Sequence, residues 1–203
     1  MTHDDALVTA CLGGDEGAFR LLVDRYRSRL YTLASSILQD ADQAADAVQD
    51  AFLKAYSSLP EYRGRGFFAA WLRKILVNHC LSVLRQRHHY LSLQDLDIDL
   101  ASHERGPEAE TVARTEADAI RRAMGRLPAH FRTALVLRVV EELSYREIAQ
   151  LLSVPESTIE TWIHRGRQRM RVLLSEETPA PSPRPDETRR PLASRLRRGD
   201  RLP

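Results

Sequence analysis

Between Leu143 and Arg167 the residues LSYREIAQLLSVPESTIETWIHRGR leave the backbone few options. Ile148, Ala149 and Leu152 recur at helical spacing, Ser153, Val154 and Pro155 interrupt the period, and Ile159, Trp162 and Ile163 resume it. The pattern predicts two short helices packed across a tight turn, a helix-turn-helix. Ser144 and Glu147 have the spacing of a capping box for the first helix. Pro155, Glu156 and Ser157 suit the start of the second, where Pro pre-sets φ and an acidic residue complements the helix dipole. Ala149 stands where the two helices are expected to cross most closely.

The second helix should then expose Ser157, Glu160, Thr161, His164 and Gln168, flanked by Thr158, Arg165 and Arg167. Donors, acceptors and cations mixed on one helical face suit the base edges and phosphates of a DNA major groove. A plain helical hairpin with a solvated face would show the same spacing, so the rest of the chain must discriminate.

At 203 residues the chain has room for one ordinary domain or two small ones. Its 30 Lys and Arg nearly balance 28 Asp and Glu, so net charge is uninformative and only its distribution can identify partners. Cys11 and Cys80 lack metal-ligand spacing, and no disulfide framework, metal site or cofactor is expected. No nucleophile-base motif or GxxxxGK loop appears, so no catalytic residue is assigned and an enzyme is not expected. The N-terminus carries neither a basic leader nor an apolar run, and no segment approaches the roughly 18 apolar residues of a membrane span. A cytoplasmic protein without membrane insertion is expected.

Upstream, Phe19, Leu22, Val23, Tyr26, Leu30, Leu33 and Ile37 keep helical spacing from Glu16 to Leu38, with Arg20, Asp24, Arg25 and Arg29 opposite. After Asp40 and Asp42, a second amphipathic helix is predicted from Ala45, Val48, Phe52, Ala55 and Leu59. Its other face carries Asp46, Gln49, Asp50 and Lys54, by themselves readable as an ordinary solvated surface. From Arg63 to Arg87 come Arg63, Arg65, Arg73, Lys74, Arg85 and Arg87 without one Asp or Glu. Phe67, Phe68 and Trp71 sit at the same loop-to-helix junction. Cations with aromatic rings suit single-stranded nucleic acid. Trp71, at helical spacing, reads as core, whereas the loop aromatics could serve either the core or a base.

Composition changes from Leu91 to Glu110, where six acidic residues face only Arg105 and helical periodicity lapses. Helical pattern returns at Val112–Met124 and His130–Val140. After Ser175 a Pro-rich tail with seven Arg is expected to be disordered. The predicted fold is all-α, with two small helical domains, residues 1–90 and 111–175, joined by a flexible acidic linker, residues 91–110, and followed by a tail, residues 176–203. A linker of about twenty residues reaches at most about 70 Å, about two turns of DNA, so one chain could touch DNA at two separated places.

With these segments in order, the chain from about Glu16 to Leu174 resembles the sigma-70 family of bacterial sigma factors, in the extracytoplasmic-function group. Asp40 to Tyr56, containing DAVQDAFLKAY, resembles the helix that docks on core RNA polymerase. The resemblance therefore turns Asp46, Gln49, Asp50 and Lys54 from solvated face into expected polymerase contacts. FFAAWLRKILVNHCLSVLRQR resembles the element that recognises and melts the minus-ten region, implying contacts from Arg63, Arg65, Phe67, Phe68, Arg73, Lys74, Asn78 and Arg85 to double- and single-stranded promoter DNA. The preceding loop is implied to hold a flipped base. The helix-turn-helix domain resembles the reader of the minus-thirty-five box, implying contacts from Ser157, Thr158, Glu160, Thr161, His164, Arg165 and Arg167. An anti-sigma partner is also implied. The chain departs from the family pattern at Ser82, where Asp is usual, and at Glu160 and Trp162, where basic residues are frequent. A free-standing helix-turn-helix regulator is the alternative, but leaves the acidic-amide face and the aromatic basic loop without a role.

Overall fold

The computed structural model describes residues 3–63, 67–94 and 116–177, and among these every regular element is helical. The acidic linker, from residue 95 onward, and the tail after residue 177 lie outside the described residues, as do the expected helical start at Val112 and the side chain of Arg87. The elements are α1 His3–Leu12, α2 Glu16–Leu38, α3 Ala41–Ser58, a 3-10 turn Leu59–Glu61, α4 Phe68–Gln94, α5 Glu116–Gly125, α6 Ala129–Val139, α7 Tyr145–Leu152 and α8 Glu156–Glu177.

Local chemistry sets the helix ends. Asp15 caps α2 by accepting from the Gly17 and Ala18 amides, and Asp40 caps α3 by accepting from those of Asp42 and Gln43. Gln39 takes the left-handed conformation (φ 58°) that closes α2 and turns the chain into α3. Along α2 the expected stripe is buried at Leu22, Leu30, Leu33 and Ile37, with Ala18, Ala34 and Leu38 added. The α3 stripe runs through Ala44, Ala47, Val48, Ala51, Phe52 and Ala55. Ala45, expected inside, is exposed. The reason is that α3 packs between α2 and α4, and the small Ala44, Ala47 and Ala51 permit both close approaches. Periodicity alone did not predict α1. Its Asp4 bonds Arg25 and Tyr26 of α2, and Val8 is its buried contact.

In the second half, α6 is buried nearly all round, from Arg132 to Leu137. Arg132 explains how a cation survives there. Its Nε donates to the Ile37 carbonyl at 2.8 Å, and its Nη1 to the carbonyls of Gly125 at 3.2 Å and Leu127 at 3.3 Å. One guanidinium thus satisfies carbonyls at the C-terminal ends of both α2 and α5, where helix dipoles favour a cation. The two halves therefore touch, through α2 and α6, and their buried apolar residues form one contiguous cluster.

The helix-turn-helix begins with the capping box, in which Ser144 Oγ accepts from the Glu147 amide at 3.2 Å while the Glu147 carboxylate accepts from the Ser144 amide at 2.8 Å. Ser153 (φ 56°) ends α7 in the left-handed region. Ala149 is buried, and a further close approach lies at Gly166, where an added Cβ would stand 3.0 Å from Leu135 Cδ1 and 3.4 Å from Phe131 Cβ. A glycine inside a helix is otherwise unfavourable, so the close passage of α8 over α6 accounts for it. Gly166→Val should cost about 2 kcal/mol through overpacking, read as a lower urea midpoint with unchanged slope; an unaltered midpoint would show that the crossing has slack.

Candidate nucleic-acid interface

Three exposed surfaces carry the expected residues. The first is the outer face of α3, where Asp46, Gln49, Asp50 and Lys54 are all exposed. Spacings of three, four and eight residues align them on one side. Asp50 Oδ2 lies 3.4 Å from Nε2 of His79 on α4, so this face reaches across to the next helix. Leu53 and Tyr56 extend it as exposed apolar side chains, and Tyr56 leans edge-on against Phe19 at 4.9 Å. Sequence periodicity did not single out these two, although exposed large apolar residues beside polar ones are a usual mark of a protein-docking surface.

The second surface is the start of α4. Arg63, Phe67, Lys74, Asn78 and Arg85 are exposed, and Phe67 is 70% exposed. Arg65 lies outside the described residues. Phe68 departs from expectation: at 1% exposure it is a core residue, its ring 5.8 Å from Tyr26, 5.8 Å from Tyr62 and 5.7 Å from Trp71. The helix begins at Phe68, and its first turn points this ring inward while Phe67 is left outside. Phe68 therefore drops out as a direct DNA contact. Trp71, half-buried, packs at 5.0 Å on Tyr62. Around them a shallow depression of about 360 Å³ is lined by three aromatic residues, Tyr62, Phe67 and Trp71, by Ala70, and by the charged Glu61, Arg63 and Lys74. Burial raises the Tyr62 hydroxyl pKa above its usual value. Arg73 is not free: it pairs with Glu141 from the second half at 2.7 Å.

The third surface is α8. Ser157, Glu160, Thr161, His164, Arg165, Arg167 and Gln168 are exposed, and Thr158 is half-exposed. Ile159, Ile163 and Gly166 face inward, as a base-reading helix requires. The Thr161 hydroxyl donates to the Ser157 carbonyl at 2.9 Å, which leaves it an acceptor toward any ligand. Trp162 is half-buried against His130, ring centroids 5.1 Å apart, and desolvation lowers the His130 pKa below its usual 6.5. Trp162 thus contributes packing. Arg138 donates to the Leu143 carbonyl at 2.9 Å and lies over the Tyr145 ring, fixing α7 to the end of α6.

Two participants escape sequence reasoning, Arg29 and Glu141. Arg29 reads as one cation on a solvated face of α2. Glu141 did offer a signal, since an acid just past the C-terminal end of an apolar helix opposes its dipole and needs a cation from elsewhere. Among the described residues there is no group of three or more His, Cys, Asp or Glu placed to hold a metal ion. No described helix is long and apolar enough to cross a membrane.

Comparison with known proteins adds to this geometry. The family model for sigma-70 region 2 matches residues 22–90 and that for sigma-70, region 4 matches residues 117–170. The ECF RNA polymerase sigma factor SigW of Bacillus subtilis is 30% identical over 172 residues, spanning 80% of this chain and 92% of that protein. The ECF RNA polymerase sigma-E factor of Escherichia coli K12 is 33% identical over 174 residues, 81% of this chain and 91% of that protein. The crystallised sigma factor RpoE of Bartonella quintana, in complex with the anti-sigma factor NepR, shares the fold with a TM-score of 0.60 at 24% identity, over 79% of this chain and 98% of that one.

Two stability measurements check the site's framework. Phe68→Ala should cost about 4 kcal/mol, abolishing ordered folding rather than selectively weakening DNA binding; a well-folded variant with only a DNA defect would restore Phe68 to the interface. Bonds from Ser144 hold the Glu147 carboxyl below its usual 4.5, so its contribution is present above that pH and is lost as pH falls through the depressed folded value. Ser144→Ala should therefore lower stability near neutrality, with the difference from the unsubstituted chain shrinking in acid melts below pH 4.5.

Proposed function

This chain belongs to the sigma-70 family, in its extracytoplasmic-function group, and from that premise we propose how its surfaces divide the work of a sigma factor. Asp46, Gln49, Asp50 and Lys54 on α3, with Leu53 and Tyr56 beside them, dock on core RNA polymerase. Arg63, Arg65 and Phe67 of the segment before α4, with the exposed Lys74, Asn78 and Arg85 of that helix and its half-buried Arg73, hold the minus-ten region and its opened strand. The aromatic depression beneath Phe67 takes an unstacked base, which stacking would stabilise by about 1–3 kcal/mol. Ser157, Thr158, Glu160, Thr161, His164, Arg165 and Arg167 of α8 read the minus-thirty-five box. Residues 1–90 and 111–175 act as the two working units, linked by residues 91–110 and followed by the basic tail, residues 176–203.

What supports this reading is the occurrence, on a single chain, of a polar-apolar docking face and two separate DNA-competent surfaces. A free-standing regulator would need only α7 and α8. The chain directs promoter-specific initiation and supplies no chemistry of its own, because bond formation belongs to the polymerase. It works in the cytoplasm, where polymerase and promoter are. An anti-sigma protein that covers these faces would regulate it; the Bartonella quintana sigma factor RpoE is itself crystallised in complex with an anti-sigma factor, NepR.

The deciding experiment is run-off transcription with purified core polymerase. Promoter-dependent transcripts should require this chain, and Asp46→Ala with Asp50→Ala should reduce them by weakening core binding. Tight, specific duplex binding without core, and no core-dependent transcript, would instead favour a free-standing regulator. Specificity has its own check. An exposed carboxylate on a reading helix suits a cytosine N4 amino group, so Glu160→Ala should lose about 2 kcal/mol of discrimination at one minus-thirty-five position; an unchanged ranking of box variants would remove Glu160 from readout.

A further inference from the structure

The first helix, α1, contributes no residue to any of the three exposed surfaces, and it precedes the stretch that the region 2 family model matches, residues 22–90. Its contacts nevertheless converge on one of those surfaces. The Asp4 carboxylate, its side chain 18% exposed, accepts from Arg25 Nη1 through Oδ1 and from the Tyr26 hydroxyl through Oδ2. The Tyr26 ring lies 5.8 Å from that of Phe68, which in turn stands 5.8 Å from Tyr62 and 5.7 Å from Trp71. Tyr62 and Trp71 line the depression at the start of α4, whereas Phe68 is buried and neither it nor Tyr26 lines that depression. The contacts therefore run from Asp4 to Tyr26, to Phe68 and then to the wall. A second route passes through the 3-10 turn Leu59–Glu61, on which α1 packs and whose Leu59 carbonyl accepts from the Tyr62 amide at 3.1 Å. Burial raises the Tyr62 pKa and the Asp5 and Asp4 carboxylates add to the rise, so both acids of the first turn of α1 stand near that hydroxyl.

A base stacks well only on rings held at a suitable tilt and separation. Protein interiors are close-packed, so a displaced ring moves its neighbours rather than being absorbed by slack. The hydroxyl bond to Asp4 adds a directional restraint to a Tyr26 ring that is otherwise held by packing. We propose that α1 is a positioning element of the minus-ten site: Asp4, acting through Tyr26 and Phe68, sets the Tyr62 and Trp71 rings against which an unstacked base lies. Asp4 and Tyr26 touch no DNA themselves; both are positioning residues. The inference rests on the reading of the depression as the seat of an unstacked base, and it gives α1 a share in holding the opened strand.

The test uses the full-length chain assembled with core RNA polymerase and fluorescent single strands of minus-ten non-template sequence, in a series that replaces one nucleotide at a time by an abasic site. With the unsubstituted chain, one position should stand out, its abasic probe binding on the order of tenfold more weakly than the intact strand. Tyr26→Phe keeps the ring and removes only the hydroxyl. It should reduce that ratio to about threefold, by weakening the intact probe and leaving the abasic one unchanged. Asp4→Ala, which breaks the same bond from the other side, should do likewise. Arg25→Gln removes the other bond of Asp4 and leaves that of Tyr26 in place, so it should keep the full ratio. A general loss of stability would weaken both probes together, and the abasic probe therefore reports folding within each measurement. A full ratio in Tyr26→Phe and Asp4→Ala, an equal loss on both probes, or an equal drop of the ratio in Arg25→Gln would each overturn the positioning role of α1 alone. If the unsubstituted chain binds the intact strand no better than any abasic one, the base-holding reading falls, and the proposal with it.

Discussion

A single buried arginine does much to decide how this chain is put together. Arg132 enters the interior from α6 with a charge that burial alone would make prohibitive, and it is tolerated because the carbonyl ends of α2 and α5 surround it. Helix C-terminal carbonyls have no partners within their own helix. The guanidinium supplies donors in a planar fork that can reach several at once. Removing it would leave carbonyls of both halves unsatisfied together, so the fold of the second half and its seat on the first share one group.

At the other end of α6 the polarity reverses. There the helix offers an acid, Glu141, and the first half offers two arginines. Both contacts place strong, directional electrostatics at the junction of two helical units whose buried apolar residues form one cluster. The two contacts differ in kind: Arg132 bonds to backbone carbonyls, whereas Arg29 and Arg73 bond to a side-chain carboxylate.

The three exposed surfaces obey a common rule. On each, the polar residues stand opposite a well-filled apolar stripe: Ala47, Ala51 and Ala55 behind the α3 face, Leu72 and Leu76 behind α4, and Ile159 and Ile163 behind α8. Recognition residues on such helices are presented rigidly, because the buried side determines the rotation of the exposed one. Phe67 and Phe68 illustrate it at adjacent positions, one ring committed to the core and its neighbour to solvent.

The amphipathic stripes, the capping box at Ser144 and Glu147, the break at Ser153–Pro155 and the exposed face of α8 were legible in the linear chain. Each arises from contacts within about four residues, and local periodicity reports such contacts directly. The same reading misplaced Ala45 by about one helical step and left Phe68 undecided between base and core, because rotation about a helix axis is settled by the neighbours it packs on. Gly166 acquires its meaning only from Leu135, α1 from Arg25 and Tyr26, and Glu141 from Arg29, 112 residues away. The sequence by itself therefore determined the helices, their caps and the three polar faces. Tertiary structure alone decided which aromatic is core, where two helices nearly touch and which arginines are already taken, since pairing of distant charges depends on a packing geometry that no local pattern encodes.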